Sequence, residues 1–216
     1  MEWDGDDRPP ANWRRLHEAA SLASRFWHGF GHLRPRGPED GPPALVIPGW
    51  MASDRTTIAL RRALAEDGWR VHGWELGWNW GAKADTISRL RRRLADIGNG
   101  QKVLVVGWSL GGVYARELGR AAPDLVRAVV TLGSPFSGDP RQNNVWRMYE
   151  RIAGHDVYEP PFPNRAEKPP VPTLALWSRR DGIVAPRAAR GLAHEVDKSV
   201  EVDAYHTGFA IHRPVM

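Results

Sequence analysis

The sequence predicts an α/β fold: a doubly wound, mostly parallel sheet of about six strands, preceded by a helical N-terminal extension. Two observations predict it. Short apolar runs recur from residue 44 onward, and most are continuous rather than alternating, which suits strands buried on both faces of a parallel sheet. Between them lie stretches whose apolar residues recur at steps of three and four, the spacing of one helix face. Strand and helix alternating in this way imply right-handed crossovers.

Asn12 is placed to cap a helix reaching about Gly29, with Trp13, Leu16, Ala20, Ala23, Trp27 and Phe30 at steps of three and four. The opposite side carries Arg14, Arg15, Glu18 and Arg25. Such a stripe reads as a helix docked on the domain, with an interfacial membrane helix as the alternative. The Pro/Gly-rich stretch 34–43 then links this extension, residues 1–43, to the body, residues 44–216. Strands are expected at 44–47, 70–74, 103–106, 128–132 and 173–177, and a less apolar one at 200–202. One helical pattern starts near Asp54, shows Ile58, Leu60 and Leu64, and stops at Gly68. Another starts near Asp85, shows Ile87, Leu90, Leu94 and Ile97, and stops at Gly98. Acidic starts and glycine stops are the capping chemistry of helix ends. A last helix is expected at 186–196.

Residues 137–172 break the rhythm with a short helix at 144–152 and a proline-rich run. A stretch of that length is too long for a plain connection and reads as a lid-like insert, the alternative being a disordered excursion. Trp146 and Tyr149 favour something that packs.

Composition bounds the function. The chain has 216 residues, 42% hydrophobic and 25% charged, enough for one domain whose core needs no metal or disulfide. It has no cysteine, which removes disulfide frameworks, zinc ribbons and thiol nucleophiles. The net charge of +5 comes without the dense Lys/Arg block of a nucleic-acid arm, and the basic run from Arg89 to Arg93 reads as a solvated helix face. No apolar run reaches the length of a membrane span, and the N-terminus is acidic and polar. A cytoplasmic protein without signal peptide is therefore expected, with no nucleic-acid partner and no transmembrane segment.

The chemistry centres on Gly107-Trp108-Ser109-Leu110-Gly111, which joins an apolar strand directly to a helix. A serine at such a turn is lifted above the sheet, and glycines two places on either side avoid collision in the tight turn. Helix onset after Ser109 aims the Leu110 amide at an oxyanion formed on an attacked carbonyl. The serine needs a base. Of eight histidines, His206 follows a strand and precedes Gly208, a position at the carboxyl end of the sheet, while His155 in the insert is its rival. Asp181, after the strand at 173–177, is the candidate to orient that imidazole; Asp203 is too close along the chain. The loop Ile47-Pro48-Gly49-Trp50-Met51 is placed to give a second oxyanion donor, the Trp50 amide before that of Met51. With 11 tryptophans in the chain, Met51, Trp78, Trp108 and Trp146 are pocket candidates for an apolar substrate. No metal and no cofactor are called for.

The ordered set of Ser109 in its glycine turn, Asp181-Gly182-Ile183-Val184 and His206-Thr207-Gly208 resembles the α/β-hydrolase superfamily. Pro48 to Asp54, His72 to Gly81, Tyr114 to Leu118 and Leu132 to Gly138 are similar to a compact bacterial esterase/lipase-like group. The resemblance covers residues 44–212 and implies hydrolysis of small or medium apolar carboxylic esters through an acyl-enzyme. In that scheme Ser109 is nucleophile, His206 base then acid, and Asp181 its support. Three departures stand out. The extension before residue 44 reads as helix, so the usual leading antiparallel strands are expected to be absent and the sheet to have six strands. Pro48-Gly49 replaces the His-Gly of many relatives at the oxyanion loop. Only ten residues follow His206, too few for a long closing helix, so either the N-terminal helix or a partner covers that sheet face or the chain has been trimmed. An acyltransferase or thioesterase using the same three residues is the alternative function, and a non-catalytic binding protein on this scaffold a more distant one.

Overall fold

The computed structural model describes Pro9, Pro10, Glu18, residues 36–163 and residues 165–211. The N-terminal helix expected between Asn12 and Gly29 lies otherwise outside the described residues, as do His17, His28, His32 and His212. Six strands form one sheet: β1 (Pro43–Ile47), β2 (Arg70–Gly73), β3 (Val103–Trp108), β4 (Val126–Leu132), β5 (Thr173–Trp177) and β6 (Lys198–Glu201). Their order is β2-β1-β3-β4-β5-β6, and every neighbouring pair is parallel. The chain moves outward in one direction to β2, then reverses across β1 to β3, which creates the switch where α/β sheets bind ligands.

The helices are α1 (Ile58–Glu66), α2 (Thr86–Gly98), α3 (Leu110–Ala121), α4 (Trp146–Ala153), α5 (Pro186–Arg190) and α6 (Gly208–Ile211). Alternation along the central strands sorts them into two layers. Leu45, Ile47, Val103 and Val105 face one way and pack with Leu90, Leu94 and Ile97 of α2 and Tyr114 and Leu118 of α3. Ala44, Val46, Leu104 and Val106 face the other way, against Leu60 of α1 and Phe209 and Ala210 of α6. The short α6 therefore helps cover this face.

The helix ends depart from expectation. Asp54 caps no helix: its carboxylate accepts from the Trp74 and Glu75 amides at 3.0 Å each, tying the loop after β1 to the end of β2. Asp85 occupies the N-cap of α2 without a side-chain bond, and its left-handed C-terminal residue is Asn99, φ 45°, rather than Gly98. The helix expected at 186–196 ends at Arg190, where Gly191 turns with φ 72°. In the basic run, Arg89, Arg91 and Arg92 are exposed, while Arg93 reaches the Gly73 carbonyl and pairs with Glu75 at 2.7 Å.

The described residues of the stretch 137–172 pack against the ends of the sheet. Within that stretch helix α4 starts at Trp146, and Tyr149 Oη accepts the Ala82 amide at 3.2 Å. Ala153 lies against Gly81, whose φ is 126°. Asn143 bridges to Val184 beyond β5, so the insert spans the ends of the first and second halves of the sheet.

One strand residue makes the fold acid-sensitive. Burial pushes the His72 imidazole of β2 down to about 4, helped by the charges of Arg93, Arg70 and Arg36 and opposed by Glu75. The unfolded chain takes up this proton near 6.5 and the folded chain only near 4. Between those values U binds the proton and N does not, so stability is lost as pH falls. His72→Gln is expected to flatten the decline of the melting temperature across that window, measured by thermal unfolding at a series of pH values.

Candidate active site

At the carboxyl end of β3 the chain turns into α3 through Ser109, whose φ of 53° and ψ of −123° no ordinary L-residue prefers. The turn is held on both sides by hydrogen bonds: Ser109 N–H to the Leu132 carbonyl at 2.8 Å and Gly112 N–H to the Ser109 carbonyl at 2.9 Å. Its tightness explains the flanking glycines. A Cβ on Gly107 would stand 2.2 Å from the Gly111 carbonyl oxygen, and one on Gly111 would stand 2.3 Å from that of Ile47. Both obstacles are backbone, which cannot swing aside.

Asp181 and His206 meet on the loops after β5 and β6. His206 Nδ1 lies 2.8 Å from Asp181 Oδ2, with the carboxylate 1% and the histidine 5% exposed. The other oxygen, Oδ1, accepts the amides of Ile183 and Val184 at 2.8 Å each, so the carboxylate cannot rotate away from the ring. Burial alone lowers the His206 pKa, but the charge of Asp181, its hydrogen bond and the charge of Glu18 outweigh it, leaving the imidazole above its ordinary value. Asp203, the rejected acid, pairs with Arg180 at 2.9 Å. His155, the rejected base, lies 3.2 Å from Tyr149 Oη on the insert.

Trp108 couples this pair to the Ser109 turn. Its indole N–H donates to the His206 carbonyl at 3.0 Å, and the two rings lie 5.7 Å apart. The residue before Ser109 thus holds the histidine loop. Among the described residues the Ser109 hydroxyl makes no hydrogen bond, to the imidazole or otherwise.

Ser109 opens on an apolar cavity of about 90 Å³ lined by Trp50, Leu110, Val113, Val145, Trp146 and Phe162 among others. Of the pocket candidates, Trp146 lines it. Trp108 is buried beneath His206, Met51 is exposed, and Trp78 stacks on Trp80 at 5.7 Å, half in solvent. Of the two candidate amides in the loop after β1, that of Met51 is committed to the Asn79 carbonyl at 2.7 Å. Among the described residues no group of three or more His, Cys, Asp or Glu is placed to hold a metal ion, and no helix is long and apolar enough to cross a membrane.

Two buried side chains at the site escaped the sequence reading. Asn79 donates to the Pro48 carbonyl at 2.9 Å and accepts from Tyr114 Oη at 3.2 Å and Gly81 N–H at 3.3 Å, so it pins the loop carrying Trp50. It falls in the stretch His72 to Gly81 that carries the resemblance, but nothing in Trp-Asn-Trp marks the asparagine itself as buried. Glu18, assigned to a solvated helix side, is 3% exposed and lies between the loops of Asp181 and His206.

A parallel sheet with a serine on the elbow of an inner strand, and an acid–histidine pair on the loops of the last two strands, is the α/β-hydrolase fold. Solved structures share it. Carboxylesterase CesB (YbfK) from Bacillus subtilis is similar with a TM-score of 0.58 and 15% identity, over 92% of this chain and 93% of that one. The monoacylglycerol lipase of Paleococcus ferrophilus gives 0.58 at 19% identity, over 81% of this chain and 91% of that one. The thioesterase domain from the curacin biosynthetic pathway gives 0.58 at 14%, over 83% and 90%. At such identities the likeness is one of fold. No protein-family model matches the chain, and no curated protein matches it in sequence.

Two substitutions test this architecture. Gly111→Ala is expected to displace the loop after β1 or prevent folding, read as a lowered melting temperature. Asn79→Ala leaves the buried Pro48 carbonyl and Tyr114 hydroxyl and the part-buried Gly81 amide without this partner and is expected to cost about 1–3 kcal/mol, read by urea unfolding.

Proposed function

We propose that the chain is a serine hydrolase that cleaves carboxylic esters through an acyl-enzyme on Ser109. The observation that carries this reading is the strained Ser109 turn opening on an apolar cavity, with its own neighbour Trp108 anchored to a buried His206–Asp181 pair. Nδ1 of His206 is occupied by Asp181, which leaves Nε2 as the base.

In this mechanism Ser109 Oγ bonds to the ester carbonyl carbon as its proton passes to Nε2 of His206. The carbonyl oxygen becomes an oxyanion facing the amides of Leu110 and Trp50, the Met51 amide being already engaged. The Nε2 proton then passes to the departing alkoxide, the carbon–oxygen bond breaks, and the alcohol leaves. Water gives a proton to Nε2 as its oxygen bonds to the acyl carbon; the acyl carbon–Oγ bond then breaks, Nε2 returns that proton to Ser109 Oγ, and the acid leaves. The Ser109 hydroxyl closes on the imidazole as substrate binds, since catalytic hydrogen bonds commonly tighten only in the complex.

The cavity is small beside the roughly 300–1,000 Å³ of sites for drug-sized ligands, and so suits a short apolar acyl group. Similarity to a thioesterase domain keeps thioesters as the second substrate class. Both classes share the acyl-enzyme.

The test is a panel of p-nitrophenyl acetate, butyrate, octanoate and palmitate, with acyl thioesters alongside. Turnover is expected at the short end, with at least a thousandfold loss in Ser109→Ala and loss of fluorophosphonate labelling. Wild-type inactivity across the panel, or equal turnover in Ser109→Ala, overturns the reading. Because His206 must be neutral to accept the proton and its pKa is raised, kcat/KM is expected to fall on acidification through a midpoint above the ordinary 6.5.

A further inference from the structure

Glu18 stands in the N-terminal segment, 163 residues from Asp181 along the chain by number, yet its carboxylate lies inside the domain. Oε1 accepts the Gly182 amide at 3.1 Å and the His206 amide at 2.7 Å. Oε2 accepts the Thr207 amide at 3.0 Å and the Thr207 hydroxyl at 3.0 Å. All four partners are donors, the environment of an acceptor-only carboxylate. Two of the residues bound, Gly182 and Thr207, adjoin Asp181 and His206, and the third is His206 itself.

The arrangement is more than a docking contact. A segment that merely covered the sheet face would meet it with the apolar residues of its stripe. Here a buried carboxylate reaches between two loops that belong to different strands and share no strand pairing at that level. It bonds the backbone of both, adding a backbone bridge to the side-chain contacts Asp181–His206, Ser178–Ala204 and Arg180–Asp203 that also join them. The Gly182 peptide is gripped from its other side as well: its carbonyl accepts Asn144 Nδ2 at 3.0 Å, the same amide that reaches the Pro10 carbonyl. The N-terminal segment therefore bonds the acid loop directly through Glu18, and Pro10 is joined to it only through Asn144 of the insert.

We propose that Glu18 is a positioning residue for His206, clamping the acid and histidine loops together and placing a second negative charge beside the imidazole. This rests on the acyl-enzyme reading of the site. Asp181 holds the ring at Nδ1, and Glu18 holds the backbone that carries the ring. Among the described residues the charged groups facing the imidazole are Asp181, from the loop after β5, and Glu18, from the N-terminal segment. Both favour its cation, the form that exists while the oxyanion does.

The experiment uses the full chain. In Glu18→Gln the volume stays, one charge goes, and an amide NH₂ replaces an acceptor facing donors. The acid-limb midpoint of kcat/KM with p-nitrophenyl butyrate is expected to move down by about one pH unit, the scale of losing one nearby opposite charge. At the pH optimum kcat is expected to fall about tenfold with KM within twofold, the signature of a misaligned reacting group. Glu18→Asp keeps the charge but sets it back by one methylene, so kcat falls while the midpoint stays near wild type. The His206 imidazole is followed in parallel by ¹⁵N-resolved NMR titration of the Ser109→Ala protein with and without Glu18→Gln. This readout needs no turnover, so it separates failure of the clamp from failure of the esterase reading. A lower His206 pKa in the double variant supports the proposal even if no substrate is found. An unmoved pKa together with unmoved kcat overturns it. Should Glu18→Gln not fold, Glu18→Asp decides: wild-type kcat there overturns the proposal, and a selective loss of kcat supports it.

Discussion

The contact on which the rest of the molecule depends is backbone against backbone, where the turn at Ser109 is pressed between β3, α3 and the end of β1. The Ser109 φ of 53° is unfavourable for a residue with a side chain, and it persists because its surroundings over-determine it. The sheet registers Ile47 beside Gly107, and the Leu132 carbonyl across β4 takes the Ser109 amide. With no Cβ at Gly107 or Gly111, α3 begins directly over the strand ends. One close approach therefore determines where the hydroxyl points, where helix α3 starts and where the loop after β1 must run.

Around that turn the protein has built a buried polar system in which the described members support one another. Asp181 takes two loop amides and the imidazole, Trp108 takes the histidine carbonyl, Glu18 takes the histidine amide, and Asn79 holds the loop opposite. In a low-dielectric interior such bonds are stronger than in water, and a missing partner is correspondingly costly. Thus the groups that would do chemistry are also the groups whose burial is tolerated only in this one arrangement. The apolar cavity bordered by Trp50, Trp146 and Phe162 continues the same logic, because it surrounds the serine with little that competes for hydrogen bonds.

The insert shows how a long connection acquires structure. Helix α4 buries none of its residues fully, so it is not a core element in its own right. It is fixed instead by particular bonds at its faces: Tyr149 to Ala82, an edge-on contact of Tyr149 with Trp50 at 5.7 Å, and Arg141 stacked over Trp146 at 4.5 Å. The wall of the cavity and the loop bearing Trp50 are thereby joined through aromatic side chains.

Continuous apolar runs and glycine punctuation were enough to place the six strands, their parallel pairing and the strand–serine–helix turn, because those features arise from local burial and local sterics. The order of Ser109, Asp181 and His206 was equally legible, since each sits just past a strand end. Helix caps were less so: an aspartate before a helix looks the same whether it binds that helix, as expected for Asp54, or a neighbouring strand's loop, as found. Asn79, Glu18 and the true lining of the cavity belong to the tertiary structure alone. Their roles depend on which distant backbone groups arrive beside them, and a carboxylate on the polar side of an amphipathic pattern carries no mark of whether it meets water or three amides of the folded domain.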